Sequence, residues 1–147
     1  PSLVFSTCVQ TNNKDSFAQR LYTVTNELKR IIGLYNPDTV AIEEVFFSKN
    51  QKTAMLVAHV RGAILYLLGD LGLPSEEYNP SAIKIAITGE GRAQKRQMID
   101  MIQKLIPIKA KGLLDDEYDA IAIALTHLVT TAYPQRPEKA IAKKKET

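Results

Sequence analysis

The chain has 147 residues, 45% of them apolar and 24% charged, with a formal net charge of +3, which suits one compact domain around a single core. Its lone cysteine, Cys8, excludes an internal disulfide framework, and its apolar runs fall short of the roughly 20 residues that span a bilayer. No basic and apolar leader opens the chain, so the composition reads as that of a soluble, cytoplasmic protein.

Taken in order, Leu3 to Val9 is a β-branched and apolar run closed by the turn-forming TNNKDS, which predicts a strand leaving through a loop. From Phe17 to Ile32 apolar residues recur every three or four positions, predicting a helix capped by Ser16, stopped by Gly33 and burying one face. After the Asn36-Pro37-Asp38 turn, Thr39 to Ile42 predicts a strand covered on both faces and ending in carboxylates. Gln51 to Leu71 lacks proline and is rich in Ala, Leu and Met; it should be the longest helix, apolar on more than one side, a face suited to a dimer.

Ser75 to Tyr78 is a short strand, and Asn79-Pro80 opens a helix through Thr88. Gly89-Glu90-Gly91 breaks it. A helix from about Ala93 to Leu105 and another from near Asp116 to about Thr131 follow. The alternation predicts one α/β domain over residues 1–132, with parallel strands and helices on both faces. The tail, 133–147, has two prolines and few large apolar groups, and reads as a disordered basic segment.

Charge is segregated along this framework. The tail holds five basic and two acidic residues, and Lys84 to Lys111 holds seven basic against two acidic. Acids gather at Glu43-Glu44 and at Asp115-Asp116-Glu117 with Asp119. Phosphate binding beside metal binding explains the pattern; so does an ordinary solvated surface.

Glu43 stands at the carboxyl end of a parallel strand, where open α/β sheets place their ligands. Alone it could be the polar residue at which a strand surfaces. Asp116 and Asp119 are three apart at the start of the last helix and share one side of it; capping needs only one acid, and two repel unless a cation lies between them. A hard divalent ion with oxygen ligands, Mg²⁺ first and Mn²⁺ second, suits this set. A strand-end glutamate with a helix-start aspartate pair is the layout of two-metal phosphodiester cleavage, with ions roughly 4 Å apart. His59 and His127 read as core or helix-end residues and Cys8 as a buried strand residue, so none joins the set.

Four blocks then point to a family. AIEEVFFSKN at Ala41 to Asn50, HVRGA at His59 to Ala63, EYNPSAIKIAITGEGRAQKRQM at Glu77 to Met98 and DDEYDAIAIALTH at Asp115 to His127 resemble, in order, successive blocks of the RuvC family of Holliday-junction resolvases. The resemblance implies a ribonuclease-H-like fold with a mixed sheet flanked by helices on both faces. It implies an endodeoxyribonuclease that nicks four-way junctions in recombination and repair. By the same resemblance Glu43, Asp116 and Asp119 are catalytic and hold the metal, with two Mg²⁺ ions suspected. Phe46 stacks on an unpaired base, and Lys84 and Lys95 contact DNA. The partners implied are a second copy of the chain, through the helix from Gln51, and the branch-migration proteins RuvA and RuvB.

The family's opening strand carries a Gly-x-Asp-Pro-Gly-type motif whose aspartate completes the metal site, and a second strand follows it. The third strand matches Ser2 to Gln10, so neither of the first two is in this sequence: either they precede it or another segment substitutes for them. Two other readings stay open here: a related ribonuclease-H-like nuclease acting on another DNA or RNA structure, and a non-catalytic junction-binding module.

Overall fold

A computed structural model describes residues 1–44, 51–108 and 112–132. Its elements are α1 (Phe17–Tyr35), β1 (Val40–Glu43), α2 (Gln51–Asp70), β2 (Ser75–Tyr78), α3 (Pro80–Thr88), α4 (Lys95–Leu105) and α5 (Asp115–Ala132). Phe46 and the tail over 133–147 lie outside the described residues.

Local chemistry fixes most of the boundaries. Ser16 caps α1 by accepting from the Gln19 amide at 3.3 Å. The helix runs through Gly33 and ends three residues later than expected, at Tyr35, capped by Asn36, whose φ of 44° is left-handed and whose amide donates to Ile32 O at 2.8 Å. A glycine only weakens a helix, whereas Pro37 disfavours helical backbone at the residue before it, and Asn tolerates the left-handed turn that results. In α3 the Asn79 side chain accepts from the Ala82 amide at 2.8 Å, Pro80 occupies the first turn, and Gly89, at φ 79°, closes the helix.

β1 and β2 form a parallel pair, with Val40 opposite Ser75 and Glu43 opposite Tyr78. Alternate side chains of β2 leave on opposite faces: the Tyr78 hydroxyl reaches His127 of α5, while Glu77 pairs with Arg61 of α2. Helices therefore cover both faces, as the α/β reading requires.

The core lies between α3, α4 and α5, where Ile83, Ile87, Met98, Ile102, Ile121 and Leu125 are buried together. Each such side chain contributes about 1.5–3 kcal/mol on leaving water. Between α3 and α4 the chain turns through Gly91, where a β-carbon would stand 3.0 Å from Ser81 Oγ and 3.4 Å from Ile85 Cγ1.

Several expectations change. Leu3 to Val9 is not a strand: a strand exists through ladder bonds to a neighbour, and among the described residues none pairs with this segment. It is tied down by side chains instead, with the Phe5 ring stacked on Tyr35 at 5.1 Å and Ser6 Oγ donating to Glu117 at 2.7 Å. Cys8 is accordingly half-buried and outside any strand. The antiparallel part of a mixed sheet is likewise not among the described residues, and β1, paired with β2 alone, is half-buried where full cover was expected. No residue of α1 is fully buried, although Leu21, Val24 and Leu28 are half-covered on the side that meets α2. His59 is exposed, its ring tilted against Phe17 at 5.8 Å, and is not a core residue. α4 begins at Lys95, later than expected, because Gln94 is extended at φ −81° and ψ 159° and its amide donates to Gln97 Oε1 at 2.6 Å as the helix cap.

Candidate active site

Four elements bring charge to one hollow. Glu43 is the last residue of β1, Asp119 lies in the second turn of α5, Lys84 is on α3 and Lys95 opens α4. All four line a cavity of about 230 Å³ floored by Ile83, Met98, Ala122 and Ile123. The parallel ladder carries Glu43 to the rim, and the apolar packing of α5 against α3 and α4 holds Asp119 opposite it.

The Lys95 ammonium forms an ion pair with Asp119 and donates to the Asp115 carbonyl at 3.2 Å. The Glu43 carboxyl titrates above its ordinary range of about 4.5: partial burial raises it most, the negative charge of Asp119 adds to this, and Lys95 opposes both. Glu43 and Asp119 thus already sense one another across the cavity.

Asp116 is placed differently. It is exposed, does not line the cavity, and its Oδ2 accepts a weak bond from Cys8 Sγ at 3.9 Å. Among the described residues no three of His, Cys, Asp and Glu converge closely enough to hold a metal ion. Carboxylates that converge without a cation repel, and here a lysine supplies the positive charge. An oxygen-only donor set that draws a cation to Asp119 fits a hard divalent ion.

Beneath the acids, Glu117 secures the first turn of α5. Its carboxylate accepts from the Leu114 amide at 2.9 Å and from Ser6 Oγ at 2.7 Å. These bonds, the backbone one first, hold its acid below the ordinary range despite burial. In the sequence Glu117 stands between two better candidates and carries no signal of its own; its burial, at 9% exposure, marks it in the structure. His127 is buried at 6% exposure and bonds Tyr78, away from the cavity. Phe46 falls outside the described residues.

The frame that holds these groups is ribonuclease-H-like. It superposes on the structure titled "T. thermophilus RuvC in complex with Holliday junction substrate" with a TM-score of 0.83 at 28% identity, covering 88% of this chain and 79% of that one. A second structure, "Thermus thermophilus RuvC structure", gives 0.80 at 27% identity over 89% and 79% of the two chains. The sequence profile described as crossover junction endodeoxyribonuclease RuvC matches residues 2–127. The crossover junction endodeoxyribonuclease RuvC of Moorella thermoacetica is 39% identical over 92% of this chain and 80% of its own length. That of Rickettsia conorii is 41% identical over 85% and 80%. The chain belongs to the RuvC family. Among the described residues no helix is long and apolar enough to cross a membrane.

Proposed function

We propose that this chain nicks four-way DNA junctions by metal-dependent hydrolysis of a phosphodiester bond, in recombination and repair. The observation that carries the reading is the cavity that sets Glu43 and Asp119 against Lys84 and Lys95, on the frame shared with T. thermophilus RuvC in complex with a Holliday junction substrate.

Glu43, Asp119 and Asp116 are the residues that would hold Mg²⁺ or Mn²⁺, two ions in the fuller form of the proposal. When bound, such an ion lowers the pKa of a water and steadies the leaving oxygen. The chain's own groups do the rest. Lys84, half-buried at the cavity wall, neutralises a phosphate drawn into it. Lys95 offers a second cation at the mouth, and its hold on Asp119 keeps the two acids from facing each other unscreened. The apolar floor limits water around both. Phe46, three residues beyond Glu43, is assigned to stacking on an opened base, an interaction worth about 1–3 kcal/mol.

The proposal includes a homodimer, which would present two sites to symmetric strands. The exposed apolar residues Met55, Leu56, Val57 and Tyr66 on α2 support it. RuvA and RuvB are the partners assigned to it in the cytoplasm.

The test is cleavage of a four-way junction against linear duplex, flap and RNA–DNA hybrid, in Mg²⁺, in Mn²⁺ and in excess chelator. Paired, symmetric nicks on the junction alone, abolished by chelator, are expected. Equal cutting of duplex or hybrid would assign the chain to another nuclease activity, and undiminished cutting in chelator would remove the metal.

A further inference from the structure

Glu43 and Tyr78 are opposite one another in the parallel ladder, and the Glu44 amide donates to Tyr78 O at 2.9 Å. Side chains of registered residues on adjacent strands leave on the same face. Both of these go toward α5: Glu43 to the cavity shared with Asp119, and Tyr78 to His127, with its hydroxyl 2.8 Å from Nδ1 and the rings edge to face. His127 lies eight residues beyond Asp119 on α5, about 12 Å along the axis. One helix therefore meets one strand pair at two points. At the first, two carboxylates repel; at the second, a directed hydrogen bond joins them.

Stability does not account for the second point. His127 is buried, and its Nε2 has no hydrogen-bond partner among the described residues. Whichever ring nitrogen carries the proton, one polar atom is left unsatisfied. An apolar pair of the same shape would fill the space without that cost. Apolar packing is non-directional and lets a helix slide or roll against a sheet by fractions of an ångström, whereas a bond from a ring hydroxyl to a ring nitrogen fixes both rotation and height.

We propose that Tyr78 and His127 are a positioning pair that sets the separation of Glu43 from Asp119, and so the metal affinity and cleavage rate of the site. The proposal rests on the function proposed above. The opposite face of the same strand end is held by Glu77 through its pair with Arg61 of α2. Tyr78 therefore transmits the position of a strand that is itself braced. It touches no reacting atom.

The experiment compares the whole chain with Tyr78→Phe and with the double variant Tyr78→Phe/His127→Leu, which removes the polar pair and keeps bulk. Four quantities are read: melting temperature in chelator, Mn²⁺ affinity by calorimetry, junction affinity in Ca²⁺, and single-turnover cleavage in Mg²⁺. The double variant is expected to melt at or above the wild-type temperature and to bind junctions equally well. It should lose roughly tenfold in Mn²⁺ affinity, as when other groups that orient metal ligands are removed, and at least as much in cleavage rate. Wild-type metal affinity and rate in a folded double variant would overturn the proposal. Should that variant unfold, Tyr78→Phe decides by the same two readings. A wild-type chain that cuts no junction would defeat the proposed function, and the Mn²⁺ titration would still decide the pair.

Discussion

Lys95 is held by Asp119 across the gap between the first turn of α4 and the second turn of α5, and the same ammonium donates to the Asp115 carbonyl. One ammonium cannot fully serve both an acid of the site and a DNA phosphate. The pair is partly exposed, with side chains 39% and 54% accessible, so it is worth only about 0–1 kcal/mol. A divalent ion or a phosphate can displace it.

Lys95→Met should therefore tighten Mn²⁺ binding several-fold in the absence of DNA, because it removes a competing cation. Lys84→Met should change it less, since Lys84 lines the same cavity but does not pair with Asp119. With junction DNA the order is different: Lys84→Ala and Lys95→Ala should each weaken binding across sequences and lower the salt slope by about 0.9 per lost phosphate contact. Calorimetry and binding at graded salt check both. Equal tightening by the two Met variants would deny Lys95 its place on the acid, and unchanged salt slopes would make both lysines ordinary surface residues.

Glu43→Gln keeps volume and removes charge, so junction affinity in Ca²⁺ should survive while cleavage falls by orders of magnitude. Its stability effect has a sign. The folded Glu43 carboxyl lies above 4.5, so the fold favours the protonated form, and stability declines as pH rises from the unfolded value through the folded one. In chelator the variant should lack that decline and melt higher than wild type at neutral pH. Normal cutting by the variant would move the chemistry elsewhere.

Glu117 behaves in the opposite sense. Its folded carboxyl lies below 4.5 through its bonds to Leu114 and Ser6, so it contributes stability that is present above the unfolded value and lost as pH falls through the folded one. In chelator, wild-type melting temperature should drop more steeply than that of Glu117→Gln between neutral and strongly acid pH. Parallel curves would show that the bonds stabilise nothing. The variant should also fray the first turn of α5, which amide exchange at Asp116 and Asp119 would report.

Much of this arrangement was legible before the structure. β2 and α3 run over the residues the sequence pattern marks, because Asn79-Pro80 and Gly89 are local signals that need no tertiary partner. Glu43 at a strand end and Asp119 in an early helical turn also follow from position alone. What failed was what depends on a neighbour. Leu3 to Val9 has the composition of a strand and no ladder to join among the described residues. Spacing placed Asp116 and Asp119 on one side of a helix but could not show that only Asp119 reaches the cavity, which is decided by how α5 rotates against α3. The assignment of Lys95 to DNA stands as a proposal; what sequence does not show is the acid this lysine meets, 24 residues on. The Tyr78 and His127 bond spans 49 residues and is invisible to any local pattern.

The tight turn at Gly91 has a reach beyond its own packing. A β-carbon there would stand 3.0 Å from Ser81 Oγ and 3.4 Å from Ile85 Cγ1, both on α3, and those side chains would have to give by a few tenths of an ångström. Lys84 rides on α3 and Lys95 on α4, so the fit of the turn between these helices bears on the span between the two cations. Under the proposed function both lysines meet DNA phosphates, so the separation of those two contacts would depend in part on an elbow that carries no charge of its own. On that reading a side chain placed at the elbow would disturb both contacts together while leaving each lysine in place.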